Sequence, residues 1–131
     1  MFFQYLWPQR KLFFCGLIIF ITSIHGFTQK KFEVVDSTTF DFGEIEIDIV
    51  VNHDFIIRCL DCEEFQVETV RTSCGCTEST WTEKILSNSE KAIIHVTFDA
   101  HTLGYFDKKV TVFLKNVHKP IKLSISGWVV N

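Results

Sequence analysis

The chain has 131 residues, 47% hydrophobic and 22% charged, with a formal net charge of −3. That length admits one domain, and only six glycines and two prolines exclude a low-complexity or disordered chain. Residues 33–90 carry 14 Asp and Glu against Arg58, Arg71 and Lys84, an acidic bulk that excludes nucleic acid as a partner, because phosphate binding needs a basic face. Residues 91–131 reverse the balance, with six lysines against Asp99 and Asp107. Both blocks read as solvated strand faces.

Arg10 and Lys11 precede an uncharged apolar run, residues 12–24, which ends near Gly26. A basic start, a short apolar core and a small residue predict a helical secretory signal over residues 1–26, cleaved after Gly26. The run is short of the ~20 apolar residues of a spanning helix, so no stable membrane span is expected once the signal is removed. Cys15 lies inside this run behind Phe13 and Phe14, where a small apolar residue is expected rather than a lipid attachment site. Four cysteines then remain in an exported chain, where an oxidising compartment preserves disulfides.

The rest reads as strands. Residues 32–35 form a short first strand, broken at Ser37-Thr38-Thr39. Phe40 to Ile45 alternates apolar and acidic residues around Gly43, a place for a bend or bulge. Odd positions from Ile45 to Ile57 are apolar apart from His53, with Glu46, Asp48, Asn52 and Asp54 falling between. Period two over this length is a strand signal, and the run is long enough to require a turn near Asp48. Cys59 to Glu64 is a turn, residues 65–71 a strand, and residues 72–90 a long polar connection. Alternation resumes over Ala92 to Phe98, Val110 to Leu114 and Ile121 to Val129, with turns at Gly104 and at Asn116 to Pro120. About seven short strands with turns between them and no helix predict an all-β domain over residues 32–131, a two-sheet antiparallel β-sandwich. Trp81 and Trp128 are expected to supply packing bulk at its ends.

Five blocks in this order resemble the bacterial domain of unknown function 1573 family: Phe40 to Ile45, His53 to Phe55, Thr72 to Thr77, Val96 to Asp99, and Gly104 to Val112. The resemblance covers roughly residues 36–130. It implies an exported immunoglobulin-like sandwich of Bacteroidetes-type bacteria, located in the periplasm or at the cell surface, and it implies fold and address rather than a reaction. The chain departs from the family at Cys59-Leu60-Asp61-Cys62, where a glycine-containing turn is usual.

The cysteines carry the chemistry. A seven-residue strand over 65–71 would span about 23 Å. It would hold Cys59 and Cys62 too far from Cys74 and Cys76 for one zinc, whose thiolates sit ~2.3 Å from the metal. Cys59 and Cys62 flank a two-residue turn and are expected to form a structural disulfide; the thioredoxin reading of C-x-x-C lacks its following helix. Cys74-Gly75-Cys76 leaves three readings open: a bridge bracing the loop, a redox-active disulfide, or a thiolate pair for Cu(I), with His101 or His53 as further ligands. His53, on the apolar phase, is expected to pack, and His95, on the polar phase, to be solvated. The chain contains no Ser-His-Asp order, phosphate loop or H-E-x-x-H. The expected function is an exported, non-catalytic binding or scaffold module that engages a protein of the cell envelope. The alternative is a periplasmic thiol-redox or Cu(I)-binding protein working through Cys74 and Cys76.

Overall fold

The computed structural model describes residues 30–131. The predicted signal segment, with Cys15, lies outside the described residues. Ten strand segments follow in order: β1 Phe32–Val34, β2 Thr39–Glu46, β3 Val50–Cys59, β4 Glu64–Phe65, β5 Val67–Thr72, β6 Thr77–Trp81, β7 Leu86–Ser87, β8 Lys91–Asp99, β9 Gly104–Leu114 and β10 Ile121–Val130. They build two four-stranded sheets, β1-β3-β8-β6 and β2-β10-β9-β5, and a small ribbon, β4-β7. Among the described residues, no helix is long and apolar enough to cross a membrane.

The alternation read from the sequence places the core. Phe55 and Ile57 of β3 and Ile94, Val96 and Phe98 of β8 point inward from the first sheet. Val110 and Val112 of β9 and Leu123 and Ile125 of β10 meet them from the second. The rings of Phe98 and Phe106 stack between the sheets with centroids 4.0 Å apart. Each such side chain removed from water contributes about 1.5–3 kcal/mol, which is what holds the two sheets face to face.

Two predicted irregularities are present. Gly43, at φ +69°, sits where β2 takes one residue more than β10 between the pairs Asp41–Ser126 and Glu44–Trp128. This bulge lets Phe40 and Phe42, then Ile45, all face the core. Its neighbour on β10, Gly127, is buried with no room for a side chain. The turn near Asp48 is also there, with Asp48 itself at φ +61°. A short Asp side chain tolerates that conformation better than most, so the turn forms without glycine.

Four expectations are corrected. The sandwich is not wholly antiparallel: β2 runs parallel to β10. The chain leaves β1, which is antiparallel to β3, bends through residues 36–38, and crosses to the edge of the other sheet, where it meets β10 in the same direction. The predicted strand 65–71 breaks at Gln66, because β4 pairs with β7 whereas β5 pairs with β9. Residues 72–90 are not a plain connection, since they contain β6 and β7. In β6 the inward positions are Thr77, Ser79 and Trp81, so two polar residues occupy the phase that usually announces a strand. Trp81 packs against the core as expected, whereas Trp128 points outward, 55% exposed, on the outer face of the second sheet.

Candidate functional site

The Cys74-Gly75-Cys76 segment carries the chain from the second sheet to the first. The β5–β9 ladder ends at Ser73, whose amide donates to the Lys109 carbonyl (2.9 Å) while its hydroxyl accepts from the Lys109 amide (3.0 Å). A side chain thus takes over the last ladder bond, and the backbone is free to turn away. The Cys74 carbonyl accepts from the Thr77 amide and the Thr72 hydroxyl, both at 3.3 Å. Asp99 then donates its amide to the Cys76 carbonyl at 3.0 Å, which starts the pairing of β6 with β8. Gly75 stands at the tip with open space where a side chain would be.

Cys74 and Cys76 are joined as a disulfide, with Cα atoms 5.4 Å apart. The Thr77 hydroxyl lies 3.5 Å from the Cys74 sulfur. A bridged sulfur has no proton, so the hydroxyl is the donor. At 3% exposure, Thr77 is the one buried polar residue among the described residues. Cys76 instead lines a shallow groove of about 370 Å³ with Val50, Glu78, Thr97, Asp99 and His101.

Cys59 and Cys62 form the other disulfide. Cys59 ends β3 in the core, and Leu60 beside it donates its amide to the Lys31 carbonyl at 2.8 Å. The two bridges lie at opposite ends of the first sheet. Cys59 follows Arg58, which pairs with Lys91, while Thr77 pairs with Phe98, a separation of roughly 23 Å along β8 at ~3.3 Å per residue. Among the described residues there is no group of three or more His, Cys, Asp or Glu placed to hold a metal ion.

The histidines occupy different settings. His53 faces inward, stacked on Phe40 with centroids 3.7 Å apart, and burial lowers its pKa. His95 pairs with Asp54 on the outer face of the first sheet. His101 is bracketed: Nδ1 bonds Asp48 at 3.0 Å and Nε2 meets Asp99 at 2.8 Å. With both nitrogens engaged by carboxylates, this ring ties the β2–β3 turn to the β8–β9 loop. The Asp48 hydrogen bond first, and the Asp99 charge second, raise its pKa above 6.5. A raised folded-state pKa stabilises the fold fully below pH 6.5, and that contribution disappears as pH rises through the folded value. The His101 ring signals in a proton NMR titration are therefore expected to move at a midpoint above 6.5. The midpoint should fall toward the ordinary value in an Asp48→Asn variant, and no change in that variant would dismiss the tie.

The same end of the sandwich gathers apolar side chains in contact with water. Eight large apolar residues are exposed among the described residues, and five lie toward this end: Val50 on the outer face of the first sheet, Tyr105 and Trp128 on the outer face of the second, and Ile49 and Leu103 in the connections. Tyr105 and Trp128 are cross-strand partners with ring centroids 5.4 Å apart. The Asp48 amide bonds the Ala100 carbonyl and the Ile47 amide the Val130 carbonyl, so the turn that carries Ile49 is tied to both neighbouring segments.

A family model described as a protein of unknown function, DUF1573, matches residues 33–129. The chain belongs to that family. The matched region contains both disulfides and the whole of the end just described. No curated protein matches the chain. Among solved structures, a protein of unknown function from Porphyromonas gingivalis W83 is similar at TM-score 0.63 and 9% identity, over 76% of this chain and 47% of that one. A PapD-like domain of human CEP192 is similar at TM-score 0.61 and 8% identity, over 79% of this chain and 87% of that one. A family 123 glycoside hydrolase from Clostridium perfringens gives TM-score 0.60 and 10% identity, over 71% and 23%. This chain thus spans under half of the Porphyromonas protein and about a quarter of the hydrolase. At these identities the DUF1573 chain shares a fold with all three, and the fold alone carries no activity.

The sequence singled out the four cysteines, and the structure brings them together as two local pairs. It did not single out Thr77 as a partner of Cys74 or the bracketing of His101. Thr77 left no apolar signal to find, because the inward phase it begins passes through Ser79 before reaching Trp81.

Proposed function

We propose that this domain is an exported immunoglobulin-like, non-catalytic binding module of a bacterial cell envelope, and that it engages a protein partner through the end carrying Cys74-Gly75-Cys76. The observation that carries this reading is the gathering of Ile49, Val50, Leu103, Tyr105 and Trp128 at that one end. Exposed apolar side chains cost solubility, and the exposed cross-strand pair of Tyr105 and Trp128 has the aromatic composition of a protein-binding patch. Export is supported by the basic-then-apolar order of residues 1–26 and by two disulfides in a short chain. Likeness to a PapD-like domain supports the immunoglobulin-like reading of the fold.

The test is site-specific photo-crosslinking in cells that express the full chain. A crosslinking residue at Trp128 or Leu103 is expected to give a discrete protein adduct, and one at Ile85, exposed at the opposite end, is expected to give none. Adducts formed equally from Ile85, or from Ile85 alone, would contradict the reading.

A further inference from the structure

We propose that Cys74–Cys76 is an exchangeable disulfide that oxidises a protein dithiol, with Cys76 the sulfur attacked and Cys74 the sulfur that leaves. This is a single stoichiometric exchange rather than a turnover, so it is compatible with a non-catalytic binding module, goes beyond that reading and stands or falls separately from it.

The two sulfurs are not equivalent. Both cysteines are half-buried; Cys76 packs against the core on one side and lines the groove on the other, whereas Cys74 does not line it. Cys74 instead receives the hydroxyl of buried Thr77. A hydroxyl bonded to a neutral bridged sulfur gains little. The same hydroxyl bonded to a thiolate makes a charge-assisted hydrogen bond, about twice as strong. The interaction therefore grows as negative charge develops on Cys74, which lowers the barrier for that sulfur to leave. Cys59–Cys62 also has one cysteine at a groove, since Cys62 lines one of about 380 Å³ with Lys30, Asp61 and Glu63, but it lacks the hydroxyl donor: Cys59 is buried in the core and its sulfur faces the Lys31 carbonyl at 3.7 Å, an acceptor that would repel a thiolate.

The exchange runs in two displacements. A thiolate of the partner attacks the Cys76 sulfur. The Cys74–Cys76 bond breaks, its electron pair stays on Cys74, and a new bond joins the partner's sulfur to Cys76. The partner's second thiol, losing its proton, then attacks the partner sulfur of that mixed disulfide and displaces Cys76 as a thiolate. The partner has lost two electrons and two protons and gained a disulfide. Cys74 and Cys76 have taken up both electrons, and protons from solvent complete the dithiol. Reduced glutathione can stand in for the first displacement.

The oxidised full chain is mixed with reduced glutathione, quenched in acid at short times, alkylated and mapped by peptide mass spectrometry. Glutathione is expected on Cys76 with Cys74 alkylated, in about tenfold excess over the reverse pattern, as a hydrogen bond to a charged group implies. Thr77→Val should slow the exchange about tenfold, while Thr77→Ser, which keeps the hydroxyl, should stay within about twofold of the wild type. Equal labelling of the two cysteines, preference for Cys74, or a folded Thr77→Val variant exchanging at the wild-type rate would overturn the proposal. Should Thr77→Val fail to fold, the labelling pattern of the wild type decides alone.

Discussion

Phe98→Ala is expected to lower the unfolding free energy by about 3–5 kcal/mol, measured by urea denaturation. Phe98 is the last inward residue of β8, nearly buried, and its ring stacks on Phe106 from the facing sheet. Truncation removes the apolar area of one ring and leaves a gap between sheets whose backbones are fixed by ladders on both sides. Such a gap closes poorly, which places the cost toward the upper part of that range. The stack itself is separable: Phe98→Ala and Phe106→Ala together should cost less than the sum of the two by about 0.5–1.5 kcal/mol, the usual coupling of an aromatic pair. Strict additivity would mean that the rings do not meet, and with them the facing of the sheets at this end would be lost.

Gly127→Val is expected to cost at least the upper end of the ~1–3 kcal/mol typical of overpacked sites. A Cβ at Gly127 would stand 2.8 Å from the Gly43 carbonyl oxygen and 2.8 Å and 2.9 Å from two ring carbons of Phe106. The ring could swing aside. The carbonyl is backbone and less free to move, because Gly43 belongs to the β2 bulge, where its amide donates a hydrogen bond to the Asp41 carboxylate at 2.9 Å. The added side chain would therefore push on the parallel β2–β10 pairing. Thermal unfolding of Gly127→Val beside Phe106→Leu and the double variant separates the two contacts. Smaller ring bulk should return part of the loss, and the remainder belongs to the carbonyl. A Gly127→Val protein as stable as the wild type would show that the bulge is not where the structure places it.

What the sequence disclosed follows from how locally each feature is encoded. The inward phases of β3, β8, β9 and β10 were legible because apolar and polar residues alternate within each strand, and the turn at Asp48 was legible because the alternation runs too long for one strand. The parallel pairing of β2 with β10 was not, since nothing in Thr39–Glu46 records which distant strand lies beside it. Nor was β6, where Thr77 and Ser79 take inward positions at a sheet edge and remove the apolar signal. Trp128 was misjudged for a different reason: its size suggested packing, although its phase, between inward Gly127 and Val129, already pointed outward. Separation of the two cysteine pairs survived the break of the strand on which it was argued. The full length of β8 lies between them, and six residues of β5 still lead to Cys74. The asymmetry of that pair rests on Thr77 and on the groove, both of which come from tertiary placement.

The most direct measurement is the order in which the two disulfides open when the full chain is titrated with reduced and oxidised glutathione and the cysteines are mapped by alkylation. Cys74–Cys76, at the open end, should reduce first, with Cys59–Cys62 still closed and the circular dichroism of the folded sandwich retained. Reduction of Cys59–Cys62 first, or of both together as the fold is lost, would contradict the assignment of working chemistry to the Cys74-Gly75-Cys76 end.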